Sequence, residues 1–411
     1  MKWLGTFHPG GLKGWRLAAV LIVPALGLLV MWFANASFQA GAKYPYRFDF
    51  QSAEVGLDFK NSEPEVYLSH IKGLLSRAEY VEAVGLTESL LDAYPNFQLG
   101  QWLYAELLSL SSDATDSSAR NEFQALHTKA KASALPDLKT ELSRRLDAMR
   151  RPYQNNTVPS GLGYLAPGTK YFGVVDASAS RMYVIEHNVT DSGRHQFELL
   201  FHSYASVGLN GINKQFEGDS RSPVGVYFTQ KILPDKRLPD LYGAGALTLN
   251  YPNNFDLHRG RSGSGIWIHG SPSAQYSRAP QATDGCIVLP NDAMQRLLSL
   301  SDPRGMPIIV QENIKWISSN IASQMPENLV RRIAQKYPMT RPTVEKNLST
   351  HEKFTQMGVL HYFSWLDQGQ QVALVDLATS HGGALRTYWV DEGGNWNLIS
   401  ESRIKRSTQP S

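Results

Sequence analysis

The chain has very little cysteine and little net charge. Cys286 is the only cysteine among 411 residues, and the formal net charge is +3. A single cysteine excludes an intrachain disulfide and a metal site built from several thiolates, and the small charge gives no indication of nucleic-acid binding. The sequence also lacks the HxH and HExxH spacings of zinc hydrolases and a glycine-rich loop followed by Lys. We therefore predict no metal, no cofactor and no nucleic-acid partner.

The N-terminal segment predicts export. Lys13 and Arg16 precede an uncharged stretch, residues 17–42, whose apolar core is about long enough to span a bilayer. Positive charge before the apolar core places the N-terminus inside and the remaining chain outside. We expect residues 1–36 to anchor the protein in the inner membrane, with the body periplasmic or otherwise extracytoplasmic. The small residues at 34–36 also fit a signal-peptide cleavage site, so a cleaved, secreted form is the alternative.

Export makes the single thiol informative. Extracytoplasmic cysteines tend to pair or to be absent, so an unpaired one suggests a chemical role. His269-Gly270 ends one apolar run and Gly285-Cys286 begins another. An imidazole is the usual means of activating a thiol at neutral pH, and a glycine beside the nucleophile lets substrate approach the backbone. The alternative is that Cys286 is a small buried hydrophobic residue and His269 a structural hydrogen-bonding residue.

Composition and periodicity predict a multi-domain α+β protein. Apolar residues recur at helical spacing in the first half of the exported part. They resemble one tetratricopeptide-like hairpin, although a generic helical bundle fits equally well, and a further helix is expected over 119–151. A stretch rich in Pro and Gly then precedes short alternating strands. The predicted segments are a membrane anchor (1–36), a linker (37–62), a helical region (63–151), a second linker (152–168), a mostly-β domain (169–311) and a C-terminal α+β domain (312–405).

The sequence around the lone cysteine resembles the L,D-transpeptidase (YkuD-type) catalytic domain. The resemblance covers about 169–311 and is carried by His269-Gly270-Ser271 and by Thr283-Asp284-Gly285-Cys286-Ile287. Segments 222–225 and 249–253 also match. The resemblance implies that Cys286 is the nucleophile and His269 the general base. It further implies that the Gly270 carbonyl orients the imidazole and that the amides of Gly285 and Cys286 bind the oxyanion.

The same resemblance implies peptidoglycan stem peptides as substrate. The cysteine would attack the L,D bond of a stem tetrapeptide, release D-Ala and form a thioester, which is transferred to an amine acceptor. Hydrolysis of the thioester instead would make the protein an L,D-carboxypeptidase that trims tetrapeptide to tripeptide. A non-catalytic wall-binding scaffold is the third interpretation.

Two positions depart from the family pattern. Many members have His before the Gly-Cys pair, where this chain has Asp284. A carboxylate there would raise the pKa of the thiol unless it pairs with a cation or orients His269. Many crosslinking members have Arg two residues after the Cys, where this chain has Val288. We predict Arg261, Tyr251 and Asp284 as substrate-binding residues, with Arg261 supplying the missing charge. A solvated loop position is the alternative for Arg261.

The C-terminal segment resembles the nuclear-transport-factor-like (SnoaL-like) cone found after this catalytic domain in cell-shape L,D-carboxypeptidases of helical bacteria. Residues 386–400, with a hairpin turn at 392–395, carry most of the likeness. Its aromatic residues could line a ligand groove, and ordinary core packing is the alternative interpretation. We expect the helical and C-terminal regions to be the surfaces for possible protein partners.

Overall fold

A computed structural model describes residues 63–111, 135–150, 152–300, 303–321, 325–337, 354–380 and 383–404, all within one unit, Leu57–Ser411. The predicted anchor, the linker 37–62 and residues 119–134 of the expected helix lie outside the described residues. Of the helices within the described ranges, none combines the length and apolar character needed to cross a membrane. The fold is mixed α and β.

In the described part of the N-terminal helical region there are four helices. They are α1 (Pro64–Ser76), α2 (Tyr80–Ala93), α3 (Gln98–Ser111) and α4 (Leu135–Met149). Helix α1 begins with Pro64 at its first turn, where the missing N–H costs nothing, and α2 ends just before Tyr94-Pro95 because a residue preceding Pro disfavours the helical conformation. Their apolar faces share one buried cluster that includes Tyr67, Ile71, Leu90 and Phe97. The tetratricopeptide-like arrangement stays a prediction.

The strands that follow, numbered along the chain, are β1 (Thr157–Pro159), β2 (Leu162–Leu165), β3 (Tyr171–Asp176), β4 (Arg181–Val189), β5 (His195–Tyr204), β6 (Val207–Gly208), β7 (Gly225–Pro234), β8 (Gly245–Leu249), β9 (Trp267–Gly270), β10 (Gln281–Thr283), β11 (Ile287–Leu289), β12 (Pro307–Gln311), β13 (Trp316–Ser318), β14 (Val359–Asp367), β15 (Gln370–Ala378), β16 (Ala384–Glu392) and β17 (Asn395–Ile404). Three further helices are α5 (Asn254–His258), α6 (Asn291–Leu298) and α7 (Glu327–Lys336).

The main sheet has eight strands in the order β11-β9-β8-β7-β12-β3-β4-β5. Neighbours are antiparallel except for the pairs β9–β11 and β3–β12, which are parallel. One face carries alternate residues such as Val184, Leu247, Ile268 and Ile308, and packs against α6 through Met294. The alternation is the period of two that a strand imposes on its side chains.

The second sheet has five strands in the order β17-β16-β15-β14-β2. Its inner face packs Phe363, Trp365 and Leu374 against Val174 and Val226 of the main sheet, while α7 covers its outer face. The layers therefore run α6, main sheet, second sheet, α7. The alternation of apolar and polar residues predicts strands at 359–365, 371–376, 384–390 and 396–400, and β14 to β17 confirm them. The hairpin turn at 392–395 is confirmed as well, since Gly393 and Gly394 both adopt positive φ in a two-residue loop. A cone-like relationship stays a prediction.

The segment predicted as a linker, 152–168, is integrated into the fold instead. It contains β1, which pairs with β13, and β2, which is the edge strand of the second sheet beside β14. Val158, Leu162 and Leu165 are fully buried there. The Pro and Gly residues mark turns between short strands, and the prediction of a connecting linker was wrong in this respect.

Candidate active site

The two motifs meet on neighbouring strands at the edge of the main sheet. Strands β9 and β11 pair in parallel, with Ile268 opposite Ile287 and His269 opposite Val288. The two isoleucines face the core, so His269 lies on the opposite face. Cys286 directly precedes β11, and its Sγ donates to the Gly265 carbonyl at 3.5 Å. That carbonyl lies just before β9, so the thiol sits alongside the strand that carries the histidine.

His269 is held as a neutral imidazole with a defined tautomer. Its ring is 3% exposed, and Nδ1 donates to the Gly270 carbonyl at 2.7 Å. A carbonyl only accepts, so Nδ1 carries the proton and Nε2 bears the lone pair. Burial, aided by the positive charge of Arg278, lowers the pKa of His269 to about 4 although the bond to Gly270 opposes the change. The Tyr242 ring packs edge-on at 5.0 Å between centroids.

Position 270 requires glycine because the neighbouring atoms leave no room for a side chain. A Cβ on Gly270 would lie 2.2 Å from Asn291 Oδ1 and 2.8 Å from the Ala244 nitrogen. The Asn291 amide is fixed there because Oδ1 accepts from the Ala244 N–H at 2.8 Å and Nδ2 donates to the Ser271 carbonyl at 2.8 Å. The glycine therefore sets the approach of β9 to α6 and keeps its carbonyl aimed at the imidazole.

A tight turn delivers Cys286 to the start of β11. Gly285 has φ of 122°, and a Cβ there would lie 2.6 Å from the Arg221 carbonyl, so the position needs glycine. The Thr283 hydroxyl accepts from the Gly285 N–H at 3.1 Å and donates to the Cys286 carbonyl at 2.7 Å. The Gly285 amide, which the resemblance assigns to an oxyanion hole, is thus engaged within the turn, and it could reach a substrate only after leaving Thr283.

The thiol is partly exposed and protonated at rest. Burial raises the pKa of Cys286, a backbone hydrogen bond from Trp267 lowers it, and the Asp284 carboxylate raises it. The contribution of Asp284 has the direction expected for a neighbouring negative charge. Asp284 itself is exposed and accepts a hydrogen bond from Ser220 at 3.3 Å. A neutral thiol and a neutral imidazole are the resting forms that general-base activation of a thiol requires.

The structure does not offer Arg261 or Tyr251 to a substrate. Arg261 is 4% exposed and is paired with Asp256 at 3.1 Å and with Asp367. Both partners are buried carboxylates, so the guanidinium ties α5 to β14. Tyr251 is buried in the core of the main sheet and its hydroxyl donates to the Ser262 carbonyl at 3.0 Å. The prediction that these side chains bind substrate is not supported, because both are committed to internal contacts.

Sequence reasoning missed Arg278. It lies in the connecting segment, residues 271–282, which joins the two motifs, and it is the one cation there. Its charge lowers the pKa of both His269 and Cys286, and its guanidinium donates to the Ala282 carbonyl at 3.1 Å. Its position in sequence between the His269 and Cys286 motifs could have identified it as a candidate site residue.

A cleft of about 810 Å³ opens between the two sheets, away from the candidate site, since neither Cys286 nor His269 lines it. Arg386 makes two bonds to the buried Asp376, at 2.8 and 2.7 Å, and stacks 3.4 Å over the Phe228 ring. Within the described ranges, no three His, Cys, Asp or Glu side chains group together as a metal site would require.

His269, aligned by a backbone carbonyl, and Cys286, on a glycine turn, thus lie on or directly before two paired strands at one edge of the main sheet. Residues 170–310, which contain both groups, match the family model of YkuD, the L,D-transpeptidase catalytic domain. The resemblance stated from the motifs is therefore confirmed for this part of the chain. No curated protein matches the sequence.

Several solved structures are similar at low identity, and three of them are described below. Bd1075 of Bdellovibrio bacteriovorus is 21% identical, with a TM-score of 0.44 over 62% of this chain and 100% of that one. The helical cell shape determining protein Pgp2 of Campylobacter jejuni is 19% identical, with a TM-score of 0.42 over 59% of this chain and 95% of that one. An L,D-transpeptidase from Mycobacterium smegmatis is 20% identical, with a TM-score of 0.23 over 35% and 59%.

Proposed function

We propose that this protein is a cysteine-dependent peptidoglycan L,D-transpeptidase that acts on stem tetrapeptides. The observation that carries the proposal is the state of His269, whose Nδ1 is fixed to the Gly270 carbonyl at 2.7 Å beside the strand edge that holds the Cys286 thiol. The family match of residues 170–310 supports the substrate class. The arrangement replaces the carboxylate of a conventional triad with a backbone carbonyl.

In the proposed first step, His269 Nε2 takes the thiol proton while Sγ of Cys286 attacks the carbonyl carbon of the L,D peptide bond. The S–C bond forms, the C–N bond to D-Ala breaks, and the imidazolium returns its proton to the departing amine. In the second step an amine acceptor attacks the thioester and loses a proton to His269. The new amide forms as the S–C bond breaks, and the thiol is regenerated.

Hydrolysis is the second candidate, and Val288 favours it. The Val288 side chain is buried, and its backbone exchanges two hydrogen bonds with Ser206, each 2.9 Å long. The position at which many crosslinking members carry Arg therefore presents no cation to a substrate carboxylate. Water in place of the amine in the second step would yield a tripeptide.

The test is to incubate the full-length protein with purified disaccharide-tetrapeptide and to identify products by mass. Release of D-Ala with a dimer product supports transpeptidation, whereas release with tripeptide alone supports the carboxypeptidase. His269→Ala should abolish D-Ala release. His258→Ala is the matched control, since His258 is an exposed histidine outside the motif and its loss should leave turnover intact. No product from the wild type, together with an inert thiol, would favour the scaffold.

We further infer that the catalytic domain works outside the cytoplasm, held at the inner membrane by residues 1–36. The inference rests on the basic-flanked apolar stretch and the single cysteine. An alkaline phosphatase fused to the C-terminus should be active in cells. An inactive fusion, with a fluorescent cytoplasmic fusion at the same site, would contradict this location.

A further inference from the structure

The connecting segment is held from outside the catalytic domain by the N-terminal helical region. The Asn96 carbonyl accepts the N–H of Tyr276 at 3.0 Å, and the Asn96 amide donates to the Ser273 carbonyl at 2.9 Å. The rings of Tyr94 and Phe97 meet Tyr276 edge-on at 4.8 and 5.3 Å between centroids. The turn between α2 and α3 therefore packs directly on the segment that joins the histidine to the cysteine.

A buried ion network makes a second attachment. Arg145 of α4 is 1% exposed and pairs with Glu65 of α1 at 2.6 Å and with Glu141 at 2.8 Å. It also donates to the Ser277 hydroxyl at 2.8 Å, which in turn donates to Glu141 at 2.9 Å. Burial opposes ionisation of Glu65, but Arg181 and Arg145 outweigh it and lower its pKa to about 2. Burial raises the pKa of Glu141 although Arg145 opposes the change, so the charged pair of the network is Glu65 with Arg145. The network is closed to solvent, and Ser277 is its member on the connecting segment.

The network extends to the residue that acts on both catalytic groups. The Arg145 guanidinium stacks 3.8 Å over the Tyr204 ring, and the Tyr204 hydroxyl donates to the Arg278 carbonyl at 2.9 Å. On the far side of Arg278, the Ser206 hydroxyl donates to the Ala279 carbonyl at 2.5 Å. The backbone at Arg278 and Ala279 is therefore held, and the guanidinium of Arg278 is held by its own bond to the Ala282 carbonyl at 3.1 Å.

We propose that Arg145 is a positioning residue for the active site: through Ser277 and Tyr204 it fixes the connecting segment, and with it the charge of Arg278, beside the catalytic pair. The helical region then supports catalysis directly. The face of α4 that carries Arg145 packs against the connecting segment of the same chain. Where it concerns turnover, this inference rests on the proposed function.

The primary test variant is Ser277→Ala in the full-length protein. It removes the hydroxyl that the network holds and leaves Arg145 paired with both carboxylates. We expect kcat to fall by about tenfold or more with a smaller change in KM, since a misplacement of about 1 Å can cost about 100-fold in rate. We also expect the pH midpoint for alkylation of Cys286 by iodoacetamide to rise, because the charge of Arg278 lowers the pKa of that thiol.

Arg145→Met should have the larger effect, but it leaves Glu141 buried without its cation and Glu65 with Arg181 alone, at 2.8 Å, which can prevent folding. Its melting curve is therefore measured first, and Ser277→Ala keeps the inference testable if Arg145→Met does not fold.

Arg144→Ala is the matched control. Arg144 is the neighbour of Arg145 on α4, yet it donates to the Ala177 carbonyl at 3.0 Å and to the Ser180 hydroxyl at 2.9 Å. Both acceptors lie in the β3–β4 turn, away from the connecting segment. The control should keep the wild-type kcat and alkylation midpoint.

Two results would overturn the inference. One is a folded Ser277→Ala protein with wild-type kcat and alkylation midpoint. The other is an equal shift in Ser277→Ala and Arg144→Ala, which would show that any loss of helical docking has the same effect. Alkylation needs no substrate, so the midpoint tests the positioning role even if the wild type releases no D-Ala and the proposed function fails.

Discussion

The protonation state of His269 predicts a pH dependence of activity that differs from the one an exposed histidine would give. Burial lowers its pKa to about 4, and in the proposed mechanism the neutral imidazole is the form that accepts the thiol proton. Because the folded pKa lies below the usual value of about 6.5, the active form persists as the pH falls through the range where an exposed histidine becomes charged. Acidification to about pH 5.5 should therefore leave activity almost intact.

The magnitude follows from the two pKa values. A histidine of pKa about 6.5 is about 90% neutral at about pH 7.5 and about 10% neutral at about pH 5.5, which predicts a tenfold loss of kcat/KM. A histidine of pKa about 4 stays about 97% neutral at about pH 5.5, which predicts a change too small to measure. Activity should decline only as the pH approaches about 4.

The assay is kcat/KM for D-Ala release across this range, with melting curves at each pH to separate inactivation from unfolding. A tenfold loss between about pH 7.5 and about pH 5.5 in folded protein would show that His269 titrates as an exposed histidine does. That outcome would refute the link between burial and the resting neutral state.

Three further predictions concern single substitutions. Asp284→Asn removes a charge that raises the pKa of the nucleophilic thiol, so the pH midpoint for its alkylation should move down; an unmoved midpoint contradicts this. Gly270→Ala places a Cβ 2.2 Å from Asn291 Oδ1, so D-Ala release should fall by about 100-fold or more as β9 shifts; wild-type kinetics would refute the steric argument. Asp376→Asn leaves Arg386 buried without its partner, so urea unfolding should show a loss of about 3–5 kcal/mol; a loss under about 1 kcal/mol would contradict it.

The sequence could predict the strands and motifs because both depend on local patterns. The alternation in 359–400 places four of the five strands of the second sheet, and the Gly-Gly pair fixes the turn between the last two. The runs before Gly270 and after Gly285 identify β9 and β11. The parallel pairing of β9 with β11 is visible only in the folded chain.

What the sequence could not predict depends on contacts between distant residues. Arg261 was expected to meet substrate because it is a cation in a Gly-rich loop, but its partner Asp367 lies more than a hundred positions away. The role of Arg145 is likewise invisible in sequence, since its partners come from α1 and from the connecting segment. The strand β2 was hidden because a short apolar run between Pro and Gly residues has no periodicity to separate it from a loop.

The central claim is that Cys286 forms a thioester with the stem peptide. The most direct measurement is intact-protein mass after acid quenching of the full-length protein mixed with disaccharide-tetrapeptide, followed by peptide mapping. We expect a mass increase equal to the muropeptide without D-Ala, located on the peptide that contains Cys286 and absent from Cys286→Ala. Release of D-Ala by Cys286→Ala, or an adduct located on another residue, would contradict the account.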